Sequence, residues 1–216
     1  MFNWYRDRYL PHSFVPYVIH LGRTNVIGVE INHAEGLNER TGGWNTTFAN
    51  TQGKSHNAAP GQTSVAASLY IPAAWADPAN GSRRTDIWIE MDPANTDYVI
   101  MSFTNYGGPP RYRAWNNNTG WIDLATPVVY DAWTDFRMDF TGTDYNHFID
   151  NVLVYTMPSS PGDVAFLDIK LEAYNFTEDT SLTGSVAGNP LGDYTAFWTN
   201  PFPLPDDPIL PHTCKC

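Results

Sequence analysis

Cysteine, lysine and long apolar runs are all scarce in this chain. Its two cysteines, Cys214 and Cys216, both sit in the terminal CKC, where they cannot staple the remaining residues together. A disulfide across one intervening residue would be strained, and two thiols are too few ligands for a zinc site. The lysines are Lys54, Lys170 and Lys215 alone, and 12 basic residues face 23 acidic ones, for a net charge of −11. Such a balance repels phosphate backbones, and no basic stripe offsets it, so nucleic acid is not expected as a partner. No run reaches the apolar length of a membrane helix. No segment keeps apolar residues at 3.6 spacing for three turns, so little helix is expected; only IPAAWAD (71–77) suits a single turn. The opening MFNWYRDRYL lacks the basic and apolar regions of a signal peptide. Phosphate loops, dinucleotide fingerprints, nucleophile elbows and a Ser-His-Asp order are also missing.

What the chain has instead is aromatic residues and turns. Aromatics make up 14% of the 216 residues while charged residues make up only 16%, and Tyr, Trp, Thr, Asn and Gly are abundant. That composition suggests an extracellular β-protein, with any signal peptide upstream of this sequence. Strand-like segments recur at short spacing: 64–71, 86–91, 98–104, 111–115, 121–124, 133–141, 145–149, 152–156, 165–175 and 193–199. Between them lie ADPANGS, DPANTD, NYGGPP, NNNTG and SSPGD, which are turn formers. Many short alternating strands with such punctuation predict an all-β, two-sheet antiparallel sandwich. The sequence predicts one domain over residues 1–200 and a tail over 201–216, because PFPLPDDPILP cannot form a central strand.

TDIWIEMD (85–92) carries the most information. Side chains alternate along a strand, so Ile87, Ile89 and Met91 share one face while Asp86, Trp88, Glu90 and Asp92 share the other. The first row predicts core. The second, an aromatic ring among carboxylates, suits a surface that meets sugars. Phe136, Met138, Phe140, Leu167, Ile169 and Leu171 extend the expected core by the same alternation. In FIDNVLVYT, Asp150 and Asn151 separate two apolar runs and predict a tight hairpin.

A tryptophan, an alternating strand and then Y-x-x-F-I-D-N-x-x-V together resemble the concanavalin A-like, laminin-G-like jelly roll, with Asn151 where glycine is usual. WYRDRYLPHSF, TGGWNTTFANTQGK, SLYIPAAW and KLEAYN resemble secreted bacterial surface proteins of that superfamily without an assigned activity, although the tail lacks their hydrophobic anchor. The resemblance implies an extracellular or cell-surface protein whose concave sheet binds carbohydrate. Asp86, Trp88, Glu90, Arg111, Arg113, Trp115 and Trp121 are the candidate ligand residues. Indole rings stack on sugar C–H faces, and carboxylates and guanidinium forks bind the hydroxyl rim. Against this stands the plain alternative that the tryptophans pack under loops and the charges form cross-strand pairs.

The expected function is therefore glycan binding or a structural surface role without catalysis. A polysaccharide-degrading enzyme and a self-assembling coat or filament subunit are the alternatives. Retaining glycosidases hold two carboxyl groups roughly 5 Å apart. Positions i and i+2 on a strand are about 6.6 Å apart, so Glu90 and Asp92 are the catalytic candidates if there is hydrolysis. The strand loosely resembles the Glu-x-Asp-x-x-Glu segment of laminarinase-like glycosidases but lacks its first Glu. Arg111, Arg113, Tyr145 and His147 supply the residue types of a polysaccharide lyase, without the motifs of alginate lyases of this fold. No cofactor or metal site is assigned. Calcium is possible at the acidic loops 77–80 and 92–97, whose DPAN sequences also suit simple Asx turns. Asn-x-Ser/Thr sequons occur at Asn45, Asn80, Asn117 and Asn175 and mark expected loops.

Overall fold

The computed structural model describes residues 14–38, 48–92, 96–182 and 184–199. The proline-rich tail with both cysteines, the first thirteen residues and Asn45 lie outside the described residues. In chain order the strands are β1 (Phe14–His20), β2 (Arg23–Ile31), β3 (Thr51–Asn57), β4 (Ser64–Ile71), β5 (Arg83–Glu90), β6 (Tyr98–Thr104) and β7 (Arg111–Asn116). They continue with β8 (Gly120–Asp123), β9 (Ala132–Phe140), β10 (Asp144–Ile149), β11 (Val152–Pro158), β12 (Asp168–Asn175) and β13 (Tyr194–Thr199). One sheet has the order β1-β2-β13-β4-β9-β10-β11 and the other β3-β12-β5-β6-β7-β8. All described pairings are antiparallel. The molecule is an all-β, two-sheet antiparallel sandwich.

The sandwich follows from period-two alternation, which gives each strand one apolar face to bury. Ile87, Ile89, Met101, Phe103, Ile169 and Leu171 come from the six-stranded sheet, and Val29, Leu69, Phe136, Met138 and Trp198 from the seven-stranded one. All are buried, each contributing about 1.5–3 kcal/mol of transfer free energy if its side chain is wholly removed from water. Polar tips inside this layer find partners across it. Trp198 Nε1 donates to Thr85 Oγ1 at 2.9 Å, and the Tyr112 and Thr134 hydroxyls share a hydrogen bond of 2.8 Å. Those bonds fix the two sheets relative to one another.

Several features differ from the sequence reading. Leu167 was expected in the core but is 41% exposed. β12 begins one residue later, and the Leu167 amide and carbonyl are occupied by Glu90 O and Ala58 N at the sheet's end. β1, β2 and β3 were not anticipated. Neither was the short helix α1 (His33–Asn38), whose first amides, Ala34 N and Glu35 N, donate to the Asn32 side chain at 2.9 and 3.4 Å. IPAAWAD does form a single turn, a 3-10 turn at Ala73–Ala76. Asn175 is not in a loop: it is fully buried on β12 and donates to Asn189 O and Asp193 Oδ1. That leaves no room for a glycan on it.

Candidate functional site

The face of the six-stranded sheet that points away from the core is a lattice of rows. In-register partners on adjacent strands project to the same side. One row reads Lys170, Trp88, Ile100, Trp115 and Trp121, on β12, β5, β6, β7 and β8. The next reads Glu172, Asp86, Ser102, Arg113 and Asp123. Tyr174, Arg84, Thr104 and Arg111 form the row beyond it. On the opposite flank stand Asp168, Glu90 and Tyr98. The face thus gathers all seven candidate ligand residues, from three strands, although their roles differ.

Aromatic rings dominate the first row. Trp88 and Tyr98 lie 4.8 Å apart, Tyr98 stacks on Trp115 at 6.1 Å, and Trp115 meets Trp121 edge-on at 5.2 Å. Phe48, Arg84, Ile100, Tyr174 and Leu182 complete a groove of about 180 Å³ over them. Trp88, Trp115 and Trp121 are half-buried, so part of each ring is available at the surface. Cations reinforce the floor. Lys170 Nζ lies 4.8 Å from the Trp88 ring, the Arg113 guanidinium 4.2 Å from Trp121, and that of Arg84 3.8 Å from Tyr174.

The second row is a buried charge network. Arg84 Nε pairs with Asp86 Oδ2 at 2.9 Å, and the Tyr174 hydroxyl donates to Glu172 Oε2 at 2.5 Å. Asp86 and Glu172 are fully buried. Burial raises the Asp86 carboxyl, and Arg84 offsets part of that rise. Burial likewise lowers the Arg113 guanidinium to about 10, with repulsion from Arg84 adding to it. This corrects the expectation that Asp86 contacts a ligand: its carboxylate serves Arg84 beneath the surface. Arg113 is similarly enclosed, and it holds the underside of Trp121. Arg111 is tied to Asp123 at 2.9 Å and to the Tyr106 and Pro109 carbonyls, at the end of the sheet.

The carboxylates proposed from spacing part company. Glu90 pairs with Lys170 beside Trp88. Asp92 lies past the end of β5, where its carboxylate accepts from Thr96 N, Thr96 Oγ1 and Asp97 N at 2.8, 2.6 and 3.0 Å. Those bonds hold Asp92 below its ordinary carboxylate range and close the 92–97 loop. The lyase set does not assemble either. Tyr145 and His147 lie on β10 of the other sheet, both fully buried among core residues. Asp77 caps its own turn by accepting from Ala79 N at 2.9 Å. Among the described residues, no group of three or more His, Cys, Asp or Glu side chains is placed to hold a metal ion.

Sequence reasoning missed Arg84, Tyr98, Asp168, Lys170, Glu172 and Tyr174. A signal existed for the last four: D-K-E-Y alternates with I-L-A in DIKLEAY. What local pattern cannot give is that β12 pairs with β5, some eighty residues earlier in the chain. Phe48 and Leu182 come from loops and carry no pattern at all.

No protein-family model matches the chain, and no curated protein matches it. Solved structures do. A Bacillus licheniformis β-glucanase superposes with a TM-score of 0.52 at 9% identity, covering 88% of this chain and 80% of that one. A prokaryotic β-1,3-1,4-glucanase (lichenase) from a mouse hindgut metagenome gives 0.51 at 9% identity, with 87% and 81% covered. A GlcNAcα1-4Gal-releasing endo-β-galactosidase from Clostridium perfringens gives 0.52 at 12% identity, with 91% and 55% covered. At such identities the likeness is one of fold: the chain has the jelly roll that these proteins share.

Proposed function

We propose that this protein binds a polysaccharide along the outer face of its six-stranded sheet, and that it works outside the cell. The carrying observation is the groove lined by Trp88, Tyr98, Trp115 and Trp121. Sugar rings offer apolar C–H faces, and half-exposed aromatic rings are what those faces stack on. Trp88 and Trp121 lie three strand spacings apart, β5 to β8, which spans about 14 Å at the usual inter-strand spacing. That length suits an oligosaccharide rather than a single sugar. Arg84 and Tyr174 line the same groove from beneath, with their polar groups already engaged by Asp86 and Glu172. The jelly roll of the β-glucanase and lichenase, proteins whose names state an action on glucans, adds support at the level of fold. The composition, poor in lysine and rich in tyrosine and tryptophan, supports the extracellular setting.

The test is affinity electrophoresis and calorimetry with soluble polysaccharides. Trp88→Ala and Trp115→Ala should each weaken binding by about 1–3 kcal/mol while leaving the fold intact, since both residues lie opposite the core row. Unchanged affinity in both variants would remove the groove as the binding surface.

A further inference from the structure

Two carboxylate pairs face one another across β5 and β12, and they have opposite surroundings. Asp86 and Glu172 are in register, fully buried and held by Arg84 and Tyr174. Glu90 and Asp168 are also in register, but both keep some exposure at the groove's flank. In-register neighbours place their Cβ atoms about 4.5–5.5 Å apart. Retaining glycosidases separate their two carboxyl groups by about 5–5.5 Å, a span that side chains rooted on such neighbouring Cβ atoms can reach. Tyr98, which lines the groove, is the in-register neighbour of Glu90 on its other side.

The two members of this outer pair differ in what touches them. Glu90 is the carboxylate of an ion pair with Lys170. Asp168 has no cation beside it in the row: Oδ2 accepts a long bond of 3.4 Å from Ser55, and Oδ1 is buried without a hydrogen bond. A desolvated carboxyl group with an unsatisfied oxygen favours its neutral form, which carries a proton to donate. Burial accordingly raises Asp168 to about 7, with Ser55 pulling the other way. Neighbouring carboxyl groups driven to opposite protonation states are the acid and the nucleophile of glycoside chemistry.

We infer that Glu90 and Asp168 form the catalytic pair of a retaining glycoside hydrolase, acting on the polysaccharide bound in the groove. In the first step the Glu90 carboxylate attacks the anomeric carbon and forms a glycosyl ester. The bond from that carbon to the glycosidic oxygen breaks, and Asp168 gives its proton to the departing oxygen. In the second step Asp168, now a carboxylate, takes a proton from water as the water oxygen displaces Glu90. One water is consumed per bond cleaved, configuration is retained, and both side chains return to their starting states. Lys170 is a positioning residue, set between Glu90 and the Trp88 ring. The pair runs across two strands, so it differs from the Glu90 and Asp92 spacing along one strand.

The inference rests on the glycan reading of the groove, and the experiment separates the two. Laminarin, barley β-glucan, xyloglucan, pectic galactan and alginate are first tested for retardation of the full chain in native gels. Retardation by none overturns both readings. Any polysaccharide that retards it is then incubated with the protein and assayed for new reducing ends. Release is expected, with Glu90→Gln binding normally but at least about 10³-fold slower. A matching 2-deoxy-2-fluoro glycoside with a good leaving group should label the protein, with the added mass on Glu90. Asp168→Asn should lose about 10²–10⁴-fold on polysaccharide yet still release dinitrophenol from a dinitrophenyl glycoside, with azide raising the rate. A merely structural role for Asp168 would lower both rates together. Binding without reducing-end release and without label would overturn the pair and leave the binding groove standing.

Discussion

His147 shows what a single buried residue imposes. It sits on β10 with its ring 5.4 Å from that of Tyr155 and no measurable exposure, and burial lowers it to about 4. The unfolded chain keeps the ordinary value near 6.5, so between those pH values it binds more protons than the folded chain. Stability must therefore fall as pH drops from about 6.5 to about 4, by up to about 3 kcal/mol from this residue. Asp168 works in the opposite sense. Its folded value of about 7 lies above the ordinary 3.8, so its contribution is complete below 3.8 and is lost as pH rises through 7. Urea midpoints measured from pH 4 to 7 should consequently be flatter for the parent than for either variant. His147→Met should gain on the parent as pH falls, and Asp168→Asn should gain on it as pH rises. The sequence displayed both residues, but not this behaviour. A histidine between Asn146 and Phe148 has no local mark of full burial, and the environment of Asp168 is made by β3 and β5.

Elements built from local pattern were the legible ones. The run Asp86 to Met91 predicted a buried row and a polar row, and β5 has both. Ile89→Ala should cost about 2–5 kcal/mol, read as a lower urea midpoint, because Ile89 is fully enclosed between the sheets. The hairpin between β10 and β11 was equally plain. Asp150 and Asn151 adopt φ of 49° and 65°, the positive values that a two-residue loop demands. Asn151→Gly should hold or raise the melting temperature, whereas Asn151→Val should lower it by several degrees, since a β-branched residue resists that backbone. β3 was illegible for the complementary reason. TQGKSHN lacks a β-branched run, yet β12 recruits it as an edge strand along its whole length. Lys54 stands there opposite Leu171, and burial lowers its amine to about 8. β1 contains Pro16, which a sheet tolerates because β1 is an edge.

At the scale of the whole molecule, pairing across long sequence distances governs behaviour. β13, the last strand described, lies between β2 and β4 in the middle of the seven-stranded sheet. β12 lies between β3 and β5 in the other. Neither sheet can be completed before its last strand, β12 or β13, is in place. Folding is expected in the millisecond-to-second range of sandwiches with non-local contacts, measurable by stopped-flow tryptophan fluorescence. Removing residues 194–199 should abolish cooperative unfolding, because it opens the sheet between β2 and β4 and withdraws Trp198 from the core. This interleaving is also why the sequence revealed the sandwich and several residues of the candidate site, but not the rows that join them. Each row of the groove draws on strands whose order no local pattern encodes.

The edge-on contact between Trp115 and Trp121, 5.2 Å apart at 74°, has an optical consequence. Two indole transition dipoles that close and that inclined couple to one another, so the pair should give a paired positive and negative band in the ultraviolet circular dichroism spectrum. The couplet would vanish in Trp121→Phe without loss of the β-sheet signal. The same rings line the groove, so a saccharide bound there as proposed is expected to alter the band intensity. Under the proposed binding role the pair would serve as a label-free reporter of occupancy, readable on the native chain in solution.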